Sequence, residues 1–86
     1  MENRIAVISI ILLDTSVAGE LNQILTDYSE YIIGRMGLPY KEKNMNIICI
    51  VLDASQNVIN TISGKLGKIQ GISVKANYVS KEKNVA

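Results

Sequence analysis

Residues 5–13 read IAVISIILL, and this stretch decides the fold. It is rich in β-branched residues and apolar at both alternating sets of positions, with only Ser9 interrupting it. A strand with this pattern is covered on both faces and lies in the middle of a sheet. A secretory leader is the competing reading of Met1 to Ala18. Glu2 offsets Arg4 and Asp14 breaks the apolar run, so a buried strand is the better account. Working outward, Asp14, Thr15 and Ser16 are three consecutive N-cap candidates. Behind them Val17, Leu21, Ile24, Leu25 and Tyr28 form a helical stripe, with Glu20, Asn22, Gln23, Thr26 and Asp27 facing water.

Residues 30–38 (EYIIGRMGL) carry Gly34 and Gly37 inside a strand-like run, which predicts a bulged edge strand or a place where something approaches the backbone closely. The polar stretch from Pro39 to Asn44 reads as a hairpin loop. Residues 46–52 (NIICIVL) repeat the two-sided apolar character of the first strand. Asp53 and Ser55 are candidate caps for a second helix with Val58, Ile59, Ile62, Leu66 and Ile69 on its apolar face, and Gly67 and Gly71 end it. The stretch 72–79 alternates: Ile72, Val74, Ala76 and Tyr78 point one way, Ser73, Lys75 and Asn77 the other. The order strand–helix–strand–strand–helix–strand, with right-handed crossovers, predicts an α+β ferredoxin-like βαββαβ sandwich. Both helices lie on one face of a four-stranded antiparallel sheet whose central strands are the first and third. A single domain over residues 1–80 and a charged tail at 81–86 are expected.

Two helices cover one sheet face, yet both central strands are aliphatic on two. An uncovered aliphatic side chain forgoes about 1.5–3 kcal/mol of burial, and apolar patches of this kind mark interfaces. The expectation is a homodimer or homotetramer joined through the open sheet face or through a continuous edge-to-edge sheet, with Ile8, Ile10, Leu12, Ile48 and Ile50 assigned to the interface.

Composition excludes much. Among 86 residues there is no His, no Trp and no Phe, and Cys49 is the single cysteine. Histidine-based acid–base catalysis, a His/Cys metal cluster within one chain and a disulfide framework are all ruled out. Nine Lys+Arg against eight Asp+Glu leave a net charge of +1, too balanced to argue for nucleic acid or an anionic membrane. The central strands carry no aromatics on which bases could stack, and no helix-turn-helix is readable. A non-catalytic cytoplasmic protein with no cofactor and no metal is expected.

Cys49, in a run of branched aliphatics, reads as a buried thiol. Asp14 and Asp53 end strands and precede helices; they cap, or they hold a ligand amine. Arg35 between Gly34 and Gly37 reads as a solvated edge residue or as the most site-like group, because glycines beside a guanidinium let an anion reach backbone N–H groups and the side chain together. The candidate ligand-binding set is therefore Asp14, Thr15, Ser16, Gly34, Arg35, Met36 and Gly37. Residues 64–68 (GKLGK) lack phosphate-loop spacing and lie at a helix end, and the Lys/Glu alternation at 41–43 and 81–83 is ordinary solvated surface.

Residues 2–11 (ENRIAVISII), 31–48 (YIIGRMGLPYKEKNMNII) and 64–75 (GKLGKIQGISVK) resemble the iron-only hydrogenase system regulator family, IGRMGLPY being the most specific piece. The resemblance implies a fold similar to ACT domains and to the C-terminal domain of nickel-responsive regulators. It further implies association through sheets, a small-molecule effector near the first strand–helix loop, and a role in transcriptional or maturation control. Two departures stand out. Asp14-Thr15-Ser16-Val17-Ala18-Gly19 lacks the proline–glycine pair of an ACT motif, and without His the nickel site of those relatives has no counterpart. An adaptor that docks a partner protein by its sheet face or edge is the alternative.

Overall fold

The computed structural model describes residues 2–79, and the expected tail at 81–86 lies outside them. The elements are β1 (Asn3–Leu12), α1 (Ala18–Asp27), β2 (Ile32–Tyr40), β3 (Met45–Ser55), α2 (Gln56–Gly67) and β4 (Ile72–Tyr78), with single 3₁₀ turns at Thr15–Val17, Ser29–Tyr31 and Lys41–Lys43. The sheet order is β2-β3-β1-β4 with every neighbouring pair antiparallel. This is the expected α+β ferredoxin-like arrangement, with the two-sided apolar strands at its centre.

Local chemistry sets the boundaries. Asp14 accepts hydrogen bonds from the Ser16 backbone N–H at 3.0 Å and the Ser16 hydroxyl at 2.7 Å, closing the turn that precedes α1. Ser55, and not Asp53, caps α2: its hydroxyl accepts from the Val58 N–H at 3.3 Å. Asp53 is still in β3 and exposed. The predicted hairpin loop is shorter than expected. Pro39 and Tyr40 complete β2, which tolerates proline because it is an edge strand, and Asn44 turns the chain with φ 53°. A bulge between Ile32 and Gly34 fulfils the expectation for the glycine-bearing strand.

Gly71 leads into β4 under two constraints. Its φ is +84°, and a Cβ there would sit 2.7 Å from the Cβ of Asp14. Its carbonyl accepts from the N–H groups of Leu13 (2.7 Å) and Asp14 (3.2 Å), tying the end of β1 to the start of β4. Only glycine fits there without strain.

The core is one cluster between the sheet and its helices. Ala6, Ile8, Ile10 and Leu12 of β1 and Ile48, Ile50, Leu52 and Ala54 of β3 meet Leu21 and Leu25 of α1 and Ile59, Ile62 and Leu66 of α2. Among the described residues nothing covers the opposite, bare face. There β1 presents Ile5, Val7, Ser9 and Ile11, and in register with them β3 presents Asp53, Val51, Cys49 and Ile47. Gly34, Met36 and Leu38 of β2 pair with Val51, Cys49 and Ile47, extending the same face, with Met36 67% exposed. Ser73, Lys75 and Asn77 of β4 form a polar border beside Ile11, Ser9 and Val7.

This corrects the interface assignment. Ile8, Ile10, Leu12 and Ile50 are at most 1% exposed and Ile48 is 9% exposed, because the helices cover exactly that parity of β1 and β3. They hold the protomer together and are not on its surface. The uncovered aliphatic side chains are the alternate set.

Candidate functional site

Because successive strand residues face opposite ways, the glycine-bearing segment of β2 divides between two surfaces. Arg35 pairs with Ile50 and Gly37 with Ile48, so both look toward the helices; Gly34 and Met36 look to the bare face. Gly34 approaches Val51, where a Cβ would make ordinary contact at 3.9 Å, and Gly37 has open space where its Cβ would be.

On the helical side α1 and the β2 edge enclose a groove of about 250 Å³. Its apolar floor includes Leu12, Leu21 and Ile48, and its polar rim is Asn22, Arg35 and Asn46. The Arg35 guanidinium donates from Nη2 to the Asn22 Oδ1 at 2.8 Å, which fixes it across the mouth between strand and helix. That bond uses one of five N–H donors, and among the described residues no other side chain takes the rest.

The second predicted segment lies apart. Asp14, Thr15 and Ser16 are exposed and do not line the groove. The two candidate segments are separate places in the fold, because Asp14 is drawn toward Gly71 beside β4 while Arg35 lies on the other edge of the sheet. The Asp14 carboxyl is held below the usual carboxylate range, first by the Ser16 hydroxyl and then by the Ser16 backbone N–H. Its chemistry is spent on the turn. Asn22 and Asn46 are the polar groove residues that sequence reasoning did not single out. The available signal was that Asn22 adjoins the buried Leu21 on α1, at the border of the apolar stripe.

Other candidate chemistry resolves locally. Cys49 is half-buried on the bare face between Ser9 and Met36. In the GKLGK stretch Leu66 is core, and the Lys65 ammonium lies 5.4 Å from the centre of the Tyr28 ring, joining α2 to the end of α1. Among the described residues no three or more His, Cys, Asp or Glu side chains converge on a metal-sized site, and no helix is long and apolar enough to cross a membrane.

Comparison with known proteins gives the family. A solved structure entitled "The structure of uncharacterized protein TM1266 from Thermotoga maritima" superposes with a TM-score of 0.87 at 35% sequence identity, covering 92% of this chain and 100% of that one. No curated protein matches. The TM1266-like family, described as "Iron-only hydrogenase system regulator, putative", matches residues 4–76, which take in β1 through most of β4. The chain belongs to the TM1266-like family.

Proposed function

We propose that the chain is a non-catalytic, ACT-like regulatory module of an iron-only hydrogenase system. It assembles with itself through the bare face of its sheet and responds to a small-molecule effector, in transcriptional or maturation control. The observation that carries this reading is the aliphatic ladder opposite the helices: Val7 beside Val51, and Ile11 beside Ile47 and then Leu38. Ile11, Ile47 and Leu38 are 38%, 37% and 58% exposed, and Met36 extends the patch. A continuous apolar surface across three strands with a polar border has the anatomy of an interface. In a homodimer the same patch serves both copies. The family description supports regulation as the role, and the lack of His leaves few groups for acid–base chemistry. The coupling would run through the sheet, since β2 and β3 each present one side to the groove and the other to the bare face.

Sedimentation equilibrium across micromolar concentrations tests the reading. A stable homodimer or homotetramer is expected, and a monomer at every concentration would refute it. The adaptor reading draws on the outer edge of β4, which no described strand pairs and to which a partner strand could add. A stoichiometric partner protein recovered from native lysate, in place of the homo-oligomer, would favour it.

A further inference from the structure

We infer that the groove between α1 and β2 is a binding site for a short aliphatic monocarboxylate. This rests on the effector-sensing part of the proposed function and gives it a ligand class and a place.

Size is the first argument. A volume of about 250 Å³ equals roughly eight waters and falls just short of the range of about 300–1,000 Å³ typical of larger ligands. The occupant is small. Charge is the second argument. Among the described residues Arg35 is the single ionisable one of the lining, and its hydrogen bond there goes to the neutral Asn22 amide oxygen. A guanidinium with free N–H donors at the mouth of an apolar groove matches a carboxylate through two parallel hydrogen bonds. One positive charge balances one negative charge and leaves the second charge of a phosphate monoester unmatched. Among the described residues no lining side chain is acidic, so none of them would pair with the ammonium of an amino acid. The floor of Leu12, Leu21 and Ile48 takes an aliphatic body, and the Asn22 and Asn46 carboxamides can reach the head group.

Gly37 supplies the third argument. It faces the groove opposite Ile48, and a Cβ placed on it would meet no atom within 4 Å. The missing side chain is therefore space within the groove. Nothing in the backbone demands glycine at this position, since its φ is not positive. Filling that space obstructs the site without touching the core.

The test is a titration of ¹⁵N-labelled protein with hexanoate, which is small enough for the groove, alongside hexanamide and inorganic phosphate as separate probes. Hexanoate is expected to give saturable shifts within the millimolar range at the Asn22 and Gly37 amides, with hexanamide and phosphate at least tenfold weaker. Arg35→Gln is expected to weaken hexanoate at least tenfold. Gly37→Val is expected to abolish the shifts while retaining the native circular dichroism spectrum. Absence of saturable shifts, shifts centred outside the groove, equal binding of hexanamide or phosphate, or unchanged binding by Arg35→Gln would each overturn the assignment. Sedimentation of the same samples separates this from the parent reading. A stable assembly that ignores hexanoate removes the ligand assignment alone, and a monomer that binds it removes the assembly alone.

Discussion

Ile10 and Ile11 are neighbours on β1 with opposite surroundings, and substituting each in turn measures which face of the sheet is core. Ile10 is fully buried beneath the helices, whereas Ile11 is 38% exposed on the bare face. Ile10→Ala removes methyl groups from a packed cluster that can relax only in part, which costs about 3 kcal/mol. For a domain of this size each kcal/mol moves the thermal midpoint by about 4–8 °C, so a fall of roughly 12–24 °C is expected. Ile11→Lys leaves that cluster intact and changes the stability of an isolated protomer by less than about 0.5 kcal/mol. Its effect is on assembly. The exposed 38% of a side chain whose full burial is worth about 1.5–3 kcal/mol amounts to about 0.6–1.1 kcal/mol per protomer. A symmetric interface contains the change twice, giving about 1–2 kcal/mol, and an unpaired ammonium adds a desolvation penalty. Dissociation should therefore rise at least about tenfold. Circular dichroism melts at several concentrations, with sedimentation equilibrium, separate the two effects, because assembly makes the midpoint concentration-dependent. Equal losses of thermal stability for the two variants in dilute, monomeric samples would refute the assignment of faces. So would an Ile11→Lys protein that assembles as tightly as the parent.

Gly71→Ala should cost about 2–3 kcal/mol, because it places a Cβ at positive φ and against the Cβ of Asp14. Urea unfolding with an unchanged m-value measures it, and a loss under about 0.5 kcal/mol would show that the turn adapts. Ser16→Ala should raise the Asp14 carboxyl pKa toward the ordinary carboxylate range, read by ¹³C chemical shift against pH. Since the folded-state value is depressed, Asp14 contributes stability above its unfolded pKa and loses it as pH falls through the folded value. The difference between parent and Ser16→Ala proteins should thus be present at neutral pH and vanish in acid. A difference that persisted unchanged at low pH would exclude this linkage.

The order of elements was legible because β1 and β3 are apolar at both parities, while caps and glycines punctuate the helices. Which parity faces the helices was harder to read, since Ile8 and Ile11 are chemically identical. The clue lay in the polar residues. Ser9 and Asp53, which interrupt the two central strands, both occupy the bare face, and so do Ser73, Lys75 and Asn77 of β4. Given the register, the wet side of β4 fixes the wet side of β1. That register depends on long-range pairing, so local pattern alone did not reveal it. Arg35 and Gly37 were visible as a guanidinium beside glycine. Their union with Asn22 and Asn46 was not, because it depends on how α1 lies over the β2 edge. Asp14 and Arg35 both looked site-like, but they belong to opposite margins of the sheet.

The bulge at Ile32–Gly34 and the proline at position 39 have a bearing on how far an assembly of this chain can grow. Continuing a sheet sideways from one molecule to the next requires a flat row of donors and acceptors in step. The outer rim of β2 lacks that regularity: one irregularity alters its twist, and Pro39 has no N–H to give. Unlimited ribbon polymerisation along this rim is thereby discouraged, although the molecule is small and rich in isoleucine. Closed, countable clusters joined flank to flank are left as the easier outcome.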